Sequence, residues 1–328
     1  VRKWLRYVGN DREFHYTKVL DGQVEKGDYP HLRKIFHDLV QGREVKPSGR
    51  RDGYYRRIAE IKPVDWLQAD EKEYFNLAYP YGHEDNTRFD FENNIKVTPG
   101  DLIVIAGTSN VGKSCLALNF MAENIDVHPC VLMGNEYTAM GTDPSPKFKR
   151  RMLAMDWVNW QNEDGTSKFT LLPVRSDFED YIVKDKFNIA DWINIRTDKG
   201  ANFWEIGGML DDMKNRVGKG ILIAVVQKSE EKTTGRGGDF TKDFADVYIT
   251  IDPFGDWQSR VAIEKAKDYT GRLIGRSWAF RIVDFGAKLH NIREIAKCPK
   301  CWGRGYTRMG KCENCLGHKY VEKEGQSK

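Results

Sequence analysis

The segment from 101 to 125 constrains the fold of this chain more than any other stretch. Five strand-forming apolar residues at 102–106 lead directly into the sequence GTSNVGKS at 107–114. Apolar residues then recur at helical spacing, at Leu116, Ala117, Phe120 and Met121. A glycine-bearing loop between a strand and a helix directs several backbone N–H groups at one point, where the helix N-terminus adds positive potential. The segment is therefore predicted to bind a phosphate group.

The pattern G-x-x-x-x-G-K-[ST] predicts distinct roles within this loop. Gly107 and Gly112 let the backbone approach a ligand closely. Lys113 can reach the β and γ phosphates of a nucleoside triphosphate, and the Ser114 hydroxyl can bind Mg²⁺. The predicted nucleotide-binding residues are Gly107, Thr108, Ser109, Asn110, Val111, Gly112, Lys113, Ser114 and Cys115. The alternative, a glycine-rich turn with a solvent-facing lysine, is disfavoured by the flanking strand and helix.

Composition constrains the size and the location of the protein, and says little about its activity. The 328 residues allow two or three domains, and the net charge of +4 is too small to indicate a nucleic-acid partner by itself. No apolar run approaches the length of a membrane span and no signal peptide heads the chain, so a soluble cytoplasmic protein without a membrane partner is expected. The chain begins with Val1, which leaves open whether residues precede it.

Four of the six cysteines form two C-x-x-C pairs near the C-terminus. In a long nucleotide-binding chain this spacing predicts reduced thiols that hold a tetrahedral Zn²⁺ ion, rather than disulfides. The predicted ligands are Cys298, Cys301, Cys312 and Cys315. Cys115 and Cys130 lie in apolar surroundings and are expected in the core.

The N-terminal residues 1–58 predict a small helical unit followed by a hairpin. Apolar residues in 30–42 follow the spacing of an amphipathic helix, with proline near its start and glycine past its end. A hairpin is expected over 45–58. The stretch 43–58 that includes it has six basic and two acidic residues, interleaved with Tyr54 and Tyr55. This arrangement resembles a winged helix-turn-helix and suits contacts to duplex DNA. A protein-docking wing and a merely solvated basic hairpin are the alternatives.

The rest of the chain is predicted to contain four parts. These are a connector at 59–94, an α/β core at 95–295, a zinc-binding hairpin at 296–322 and a polar tail at 323–328. Apolar runs at 127–133, 181–195, 221–226, 246–251, 260–263 and 279–283 alternate with helical stretches in part of the core. Strands of this kind separated by helices predict a mostly parallel sheet covered on both faces.

Four sequence blocks in the core, in this order, resemble those of RecA-like P-loop ATPases. They are GTSNVGKS at 107–114, GNE at 134–136, IADW at 189–192 and VVQK at 225–228. Within that group the closest resemblance is to the DnaB-like replicative helicases and their phage relatives, over about residues 95–290. The chain is therefore expected to use ATP and Mg²⁺ and to act on DNA.

The resemblance implies roles for three further side chains. Glu136 falls where the family places the glutamate that polarises the attacking water, and an exposed turn glutamate is the alternative. Asp191 falls at the position of the acid that binds Mg²⁺ in the family, although Asn188 interrupts the apolar run before it. Asp185 is a weaker candidate for the same role. Gln227 falls on the sensor glutamine, and the glycine-rich basic loop at 229–240 would follow single-stranded DNA unless it is an ordinary solvated loop.

Proteins of this group work as rings or filaments, so a homo-oligomer is expected. A basic finger from one subunit completes the next subunit's site, and the segment VAIEKAKDYTGR makes Lys265 and Lys267 the candidates, with Arg272 nearby. The sequence departs here from the helicases, which have arginine at the position of Lys267. Because lysine lacks the planar bidentate fork of arginine, this departure argues against efficient hydrolysis across the interface.

The cysteine pairs, with their C-x-x-C-x-G-x-G half, resemble the zinc hairpins of the DnaJ cysteine-rich region. Four thiolates imply a closed structural site, with His318 at the surface. The combined prediction is a DNA helicase or remodelling motor, and the alternative is an ATP-gated DNA-binding regulator or loader. A small-molecule kinase needs no such sensor loop, and the absence of an N-K-x-D motif disfavours a GTPase.

Overall fold

A computed structural model of the chain describes residues 1–8, 12–49, 51–58, 63–139, 143–193, 205–229 and 232–323. The chain divides into two compact units, Val1–Glu71 and Lys72–Lys328. None of the helices in the described ranges combines the length and the apolar character that a membrane span needs.

The first unit is built around one amphipathic helix and a small antiparallel sheet. Its elements are α1 Arg2–Leu5, β1 Phe14–His15, α2 Tyr29–Gln41, β2 Val45–Pro47 and β3 Tyr54–Arg57, with strand order β1-β3-β2. Leu32, Phe36 and Leu39 project from α2 into the core, where Tyr55 packs on Phe36 with ring centroids 4.8 Å apart. The predicted helix and hairpin are both present, and one tyrosine of the hairpin serves packing.

Two cations of the hairpin face solvent together. Lys46 and Arg56 are cross-strand partners, and both are exposed. In the described part of this unit, α2 is the sole α-helix longer than one turn. The hairpin therefore presents two neighbouring exposed cations, and the winged helix-turn-helix stays a prediction.

The second unit contains a large sheet whose strands alternate with helices in its first half. Its elements in chain order are β4 Leu102–Gly107, α3 Lys113–Asn124, β5 Cys130–Met133, β6 Thr138–Ala139, β7 Asp143–Pro144, α4 Pro146–Ala154, β8 Phe169–Leu172, β9 Phe187–Ile193, α5 Glu205–Arg216, β10 Ile221–Gln227, α6 Asp239–Asp243, β11 Val247–Phe254, β12 Gln258–Ala266, β13 Ser277–Val283, β14 Lys288–Lys297, β15 Tyr306–Thr307, β16 Gly310–Lys311 and β17 Tyr320–Glu322.

Ten of these strands form one sheet in the order β17-β14-β13-β12-β11-β4-β10-β9-β5-β8. The six strands from β11 to β8 are parallel, and β12, β13, β14 and β17 extend the sheet as antiparallel strands. The prediction of an α/β core with a mostly parallel sheet is therefore confirmed. The carboxyl ends of the parallel strands meet at one edge, where open α/β sheets bind their ligands.

Helices cover both faces of this sheet, as a parallel sheet requires. Helices α3 and α4 pack in one apolar core and α5 in another on the opposite face. The segment 72–94, expected as part of a connector, contributes fully buried Phe89 and Phe91 to the α3 core. The Asn124 side chain fastens this segment to α3, since it accepts from the Ala78 N–H at 2.9 Å and donates to the Ala78 carbonyl at 2.8 Å.

One buried carboxylate joins three elements of the core, and its substitution has a predictable pH signature. Asp246 accepts from the Leu102 N–H at 2.8 Å, from Lys267 at 2.7 Å and from Lys214. Burial opposes ionisation, but the lysine hydrogen bonds outweigh it and lower the pKa of Asp246. We expect Asp246→Asn to lower the free energy of unfolding by about 2 kcal/mol at pH 7.

The pH dependence of this deficit tests its cause. The folded-state pKa lies below the unfolded value, so the contribution is present above about pH 4 and is lost as the pH falls further. The difference in urea midpoint between the wild type and Asp246→Asn should therefore shrink between pH 5 and pH 3. A difference that is constant over that range would mean that the ion pairs do not stabilise the fold.

Candidate functional site

The loop between β4 and α3 has the backbone that its two terminal glycines predict. Gly112 adopts φ +93°, a left-handed conformation, and a Cβ there would collide with the Ile282 side chain. A Cβ at Gly107 would lie 2.7 Å from the Ile251 carbonyl oxygen. Both positions therefore require glycine, one for conformation and space and the other for the close approach of β11. Helix α3 begins at Lys113, directly after the loop.

Lys113 reaches back over the loop that precedes it. Its Nζ donates to the Thr108 carbonyl at 2.5 Å. Burial lowers the pKa of Lys113, against the opposing charges of Asp191 and Glu136. The ammonium thus lies among the loop carbonyls and two carboxylates, where a phosphate group would supply a further negative partner.

Asp191 lies near the carboxyl end of β9 and is only 3% exposed. It accepts hydrogen bonds from the hydroxyls of Ser114 and Tyr137. Burial raises the pKa of Asp191, and these two hydrogen bonds act against that rise. Its Oδ1 atom is buried and has no hydrogen-bond partner among the described residues. A carboxylate with one unpartnered oxygen beside a serine hydroxyl fits Mg²⁺, which prefers oxygen ligands.

The two candidate acids of this strand, Asp191 and Asp185, lie at its opposite ends. Asp185 precedes β9 at the amino end of the parallel strands, where it accepts from the Lys219 N–H at 2.7 Å. Asn188 is fully buried, and its amide bonds the backbone of Val183 and the carbonyl of Lys186. The polar residue that interrupts the apolar run therefore holds the preceding turn, and Asp191 is the acid near the phosphate loop.

The predicted site residues of four strand ends surround one cavity of about 430 Å³. Its lining residues are Ser109, Asn110, Gly112, Lys113, Ser114, Cys115, Glu136, Arg151, Asp191, Trp192, Gln227, Ile282 and Gly286. Glu136 is exposed just after β5, and Gly134 before it has no room for a Cβ because the Asp191 carbonyl lies there. The close approach of β5 and β9 thus brings Glu136 and Asp191 to the same cavity.

Gln227 links this cavity to the glycine-rich loop behind it. Its Nε2 donates to the Ser109 hydroxyl at 2.8 Å, and its backbone carbonyl accepts from the Arg236 N–H at 2.6 Å. Lys228, the basic residue directly before that loop, is 3% exposed and pairs with Asp252. It is therefore not available for nucleic-acid phosphates, whereas Lys232 is exposed. Residues 230 and 231 of the predicted loop lie outside the described ranges.

The two candidate finger lysines lie outside this cavity. Lys265 donates to the carbonyls of Lys242 and Asp243 at 2.7 and 2.8 Å, and Lys267 pairs with Asp246. Lys265 lies near the end of β12 and Lys267 directly follows that strand, which pairs antiparallel with β11. Both lysines therefore lie toward the amino ends of the parallel strands. Both lysines have partners within their own chain, and a role in a neighbouring subunit's site stays a prediction.

The four C-terminal cysteines form one buried cluster. Their Sγ atoms all lie within 4.8 Å of one another, with Cys298 and Cys312 3.9 Å apart and Cys301 and Cys315 3.6 Å apart. A Zn–S distance of about 2.3 Å in a tetrahedron implies S–S separations of about 3.8 Å. Although burial acts against it, backbone N–H groups and the Asn314 amide lower the pKa of Cys298, whereas burial raises the pKa of Cys315. The donor set therefore fits Zn²⁺ with four protein ligands.

The two halves of this cluster have matching backbones. The residue after each pair and the glycine that follows both adopt positive φ, at Trp302 and Gly303 in one half and at Leu316 and Gly317 in the other. The backbone N–H of the first cysteine in each half donates to a carbonyl of the other half. Cys298 donates to the Lys319 carbonyl and Cys312 to the Gly305 carbonyl, both at 2.9 Å. This reciprocal pairing explains why both C-x-x-C pairs carry a downstream glycine.

Metal content tests this cluster directly. We expect about one Zn²⁺ per chain by elemental analysis, and its loss in Cys312→Ser, because three thiolates leave one coordination position without its soft ligand. Cys130→Ala is the matched control, since Cys130 is buried in β5 and should leave the zinc content unchanged. A wild-type protein purified without metal that binds no added Zn²⁺ would contradict the assignment.

Tyr137 and Arg151 are polar residues of the site that the sequence patterns did not indicate, and Ile282 and Gly286 also line the cavity unpredicted. Tyr137 follows Glu136 directly and donates to Asp191, and Arg151 reaches the cavity from α4. Arg151 lies between Phe148 and Met152, whose side chains are buried. The apolar spacing of this amphipathic helix could therefore have placed Arg151 on its inward side. Tyr137 offered no such signal, because its hydrogen bond joins residues 54 positions apart.

Comparisons with solved structures give two likenesses. One is to a KaiC-like protein from the hyperthermophilic archaeon Pyrococcus horikoshii OT3, at 16% identity, 67% coverage of this chain, 99% coverage of that chain and a TM-score of 0.47. The other is to the RadB recombinase, at 15% identity, 60% and 92% coverage and a TM-score of 0.43. No protein-family model and no curated protein matches the sequence.

Proposed function

We propose that this chain is a Mg²⁺-dependent ATPase with a RecA-like core that acts on DNA. One observation carries the proposal: Lys113, the hydrogen-bonded pair of Ser114 and Asp191, Glu136 and Gln227 surround a single cavity at the start of α3. Phosphoryl transfer to water depends on positioning and charge neutralisation, and these side chains supply both.

Each side chain has a task in this proposal. The loop N–H groups and Lys113 bind the β and γ phosphates and stabilise the charge that develops on the oxygens. Ser114 and Asp191 hold Mg²⁺, which when bound neutralises phosphate charge. Glu136, exposed into the cavity, orients and polarises the attacking water. Tyr137 fixes the Asp191 carboxylate through its hydrogen bond.

Contact with DNA is proposed at two surfaces, one in each unit. In the core, Gln227 connects Ser109 of the phosphate loop to Arg236 of the glycine-rich loop, so a change at the γ-phosphate can reach a segment suited to single strands. In the first unit, exposed Lys46 and Arg56 of the proposed winged domain at 1–58 suit duplex phosphates. A DnaB-like helicase or remodelling motor, assembled as a ring or filament, is the specific form of the proposal.

A second candidate function is an ATP-gated DNA-binding regulator or loader without unwinding activity. The observation that favours it is the engagement of Lys265 and Lys267 by their own chain. A motor that needs a basic finger from its neighbour would have to release one of them. In both candidates the core at 95–295 binds ATP, and the hairpin at 296–322 carries a structural Zn²⁺.

Steady-state ATP hydrolysis at fixed, stated salt, titrated with single-stranded and then duplex DNA, tests the proposal. Strong stimulation by single strands together with strand displacement on a forked duplex is expected for a motor. ATP binding with hydrolysis indifferent to DNA, and DNA binding that depends on ATP, would favour the regulator. A protein that binds no Mg²⁺-ATP would contradict both.

A further inference from the structure

Among the described residues that line the nucleotide cavity, Arg151 is the one with a guanidinium. Helix α4 holds it there, because the neighbouring side chains Phe148 and Met152 are anchored in the α3 core. Its guanidinium lies against the turn at 284–286, where Nε donates to the Phe285 carbonyl at 3.4 Å. An ideal Cβ at Gly286 would lie 3.4 Å from two of its nitrogens, so glycine there gives the guanidinium room.

The charge of Arg151 is not neutralised within the described part of the chain. No carboxylate described there lies within ion-pair distance of its guanidinium, although Glu136 and Asp191 line the same cavity. Its hydrogen bond to the Phe285 carbonyl is long, at 3.4 Å. A half-buried arginine held at a cavity wall without an anionic partner is suited to a ligand that brings the anion.

We propose that Arg151 contacts the terminal phosphate of ATP within its own subunit, an arginine supplied in cis. This inference rests on the proposed ATPase function and adds a residue to it. It also bears on Lys267, which stands where the helicases have an arginine. The planar guanidinium of Arg151 can supply the bidentate contact that a lysine cannot. The guanidinium would bind two oxygens of the terminal phosphoryl group and stabilise their charge as the bond to the bridging oxygen breaks and water attacks.

Affinity for ATP relative to ADP is the first test. In a Glu136→Gln background that prevents turnover, Arg151→Ala should weaken Mg²⁺-ATP binding about 10- to 100-fold and leave Mg²⁺-ADP binding within about twofold, because ADP lacks the contacted group. Arg151→Lys should recover part of the loss. Equal losses for ATP and ADP, or no loss, would overturn the proposal, whereas a background that binds neither nucleotide would overturn the ATPase assignment itself.

Arg150→Ala is the matched control for this helix position. Arg150 is exposed and stacks on the Phe285 ring, with its guanidinium carbon 5.6 Å from the ring centroid, outside the cavity. Its removal should leave both affinities unchanged. A loss equal to that of Arg151→Ala would mean that the two substitutions act on α4 as a whole.

A mixing experiment separates a cis arginine from a trans one. In the otherwise wild-type chain, Arg151→Ala should lower turnover about 10³-fold. Mixing it with Lys113→Ala should restore nothing, because a cis arginine and the phosphate loop must belong to the same chain. Recovery of a substantial fraction of wild-type turnover would show that Arg151 serves a neighbouring subunit and would overturn the proposal.

Discussion

Lys113→Ala is expected to abolish ATP hydrolysis, with turnover lowered at least about 10³-fold. The Lys113 ammonium is the cation that α3 places at the phosphate loop, and it lies near both Asp191 and Glu136. Its removal leaves the β and γ phosphates with the loop N–H groups, Mg²⁺ and the proposed contact from Arg151. The affinity for Mg²⁺-ATP should fall as well, since Lys113 binds the same phosphates in the ground state.

Turnover and nucleotide affinity measured on the same preparation check this result. Lys149→Ala is the matched control, because Lys149 is an exposed lysine of α4 outside the cavity and should have no effect. The folded state should be preserved, as Lys113 makes its hydrogen bond to a loop carbonyl and none to the apolar core. Substantial turnover in Lys113→Ala would remove this loop from the catalytic site.

Glu136→Gln is expected to keep ATP binding while turnover falls about 10²- to 10⁴-fold. The amide has the shape of the carboxylate but cannot accept a proton from the attacking water. Glu136 is exposed beyond the end of β5, so the substitution leaves no buried group unpaired. The loss should therefore appear in kcat and not in the affinity for Mg²⁺-ATP.

Single-turnover kinetics separate this prediction from a general loss of function. Glu163→Gln, at an exposed position away from the cavity, should hydrolyse ATP at the wild-type rate. If Glu136→Gln proved active at close to the wild-type rate, Glu136 would be an ordinary exposed turn residue. The water-orienting role would then have to belong to another acid of the cavity, of which Asp191 is the other described carboxylate.

The sequence predicted the central strands of the sheet because buried parallel strands carry continuous apolar runs. The runs at 102–106 and 221–226 correspond to β4 and β10. It did not predict β8 and β14, which lie nearer the sheet edges and mix apolar with polar residues. A strand of that kind is stabilised by its neighbours in the sheet, and its own residues indicate it only weakly.

By itself the sequence determined the features that depend on neighbouring residues. These are the glycines of the phosphate loop, the helix start at Lys113 and the spacing of the cysteine pairs. Local backbone geometry dictates them, so a short pattern is sufficient to indicate them.

Only the tertiary structure decided which distant side chains meet. In the folded chain Tyr137 donates to Asp191, and Arg151 lies at the nucleotide cavity. Lys228 forms an ion pair with Asp252, and Lys267 forms one with Asp246. A basic or acidic residue in a sequence carries a charge whose partner is unspecified. The packing of strands and helices far apart in the chain selects that partner, and the selection separates a structural ion pair from a charge that can act on a ligand.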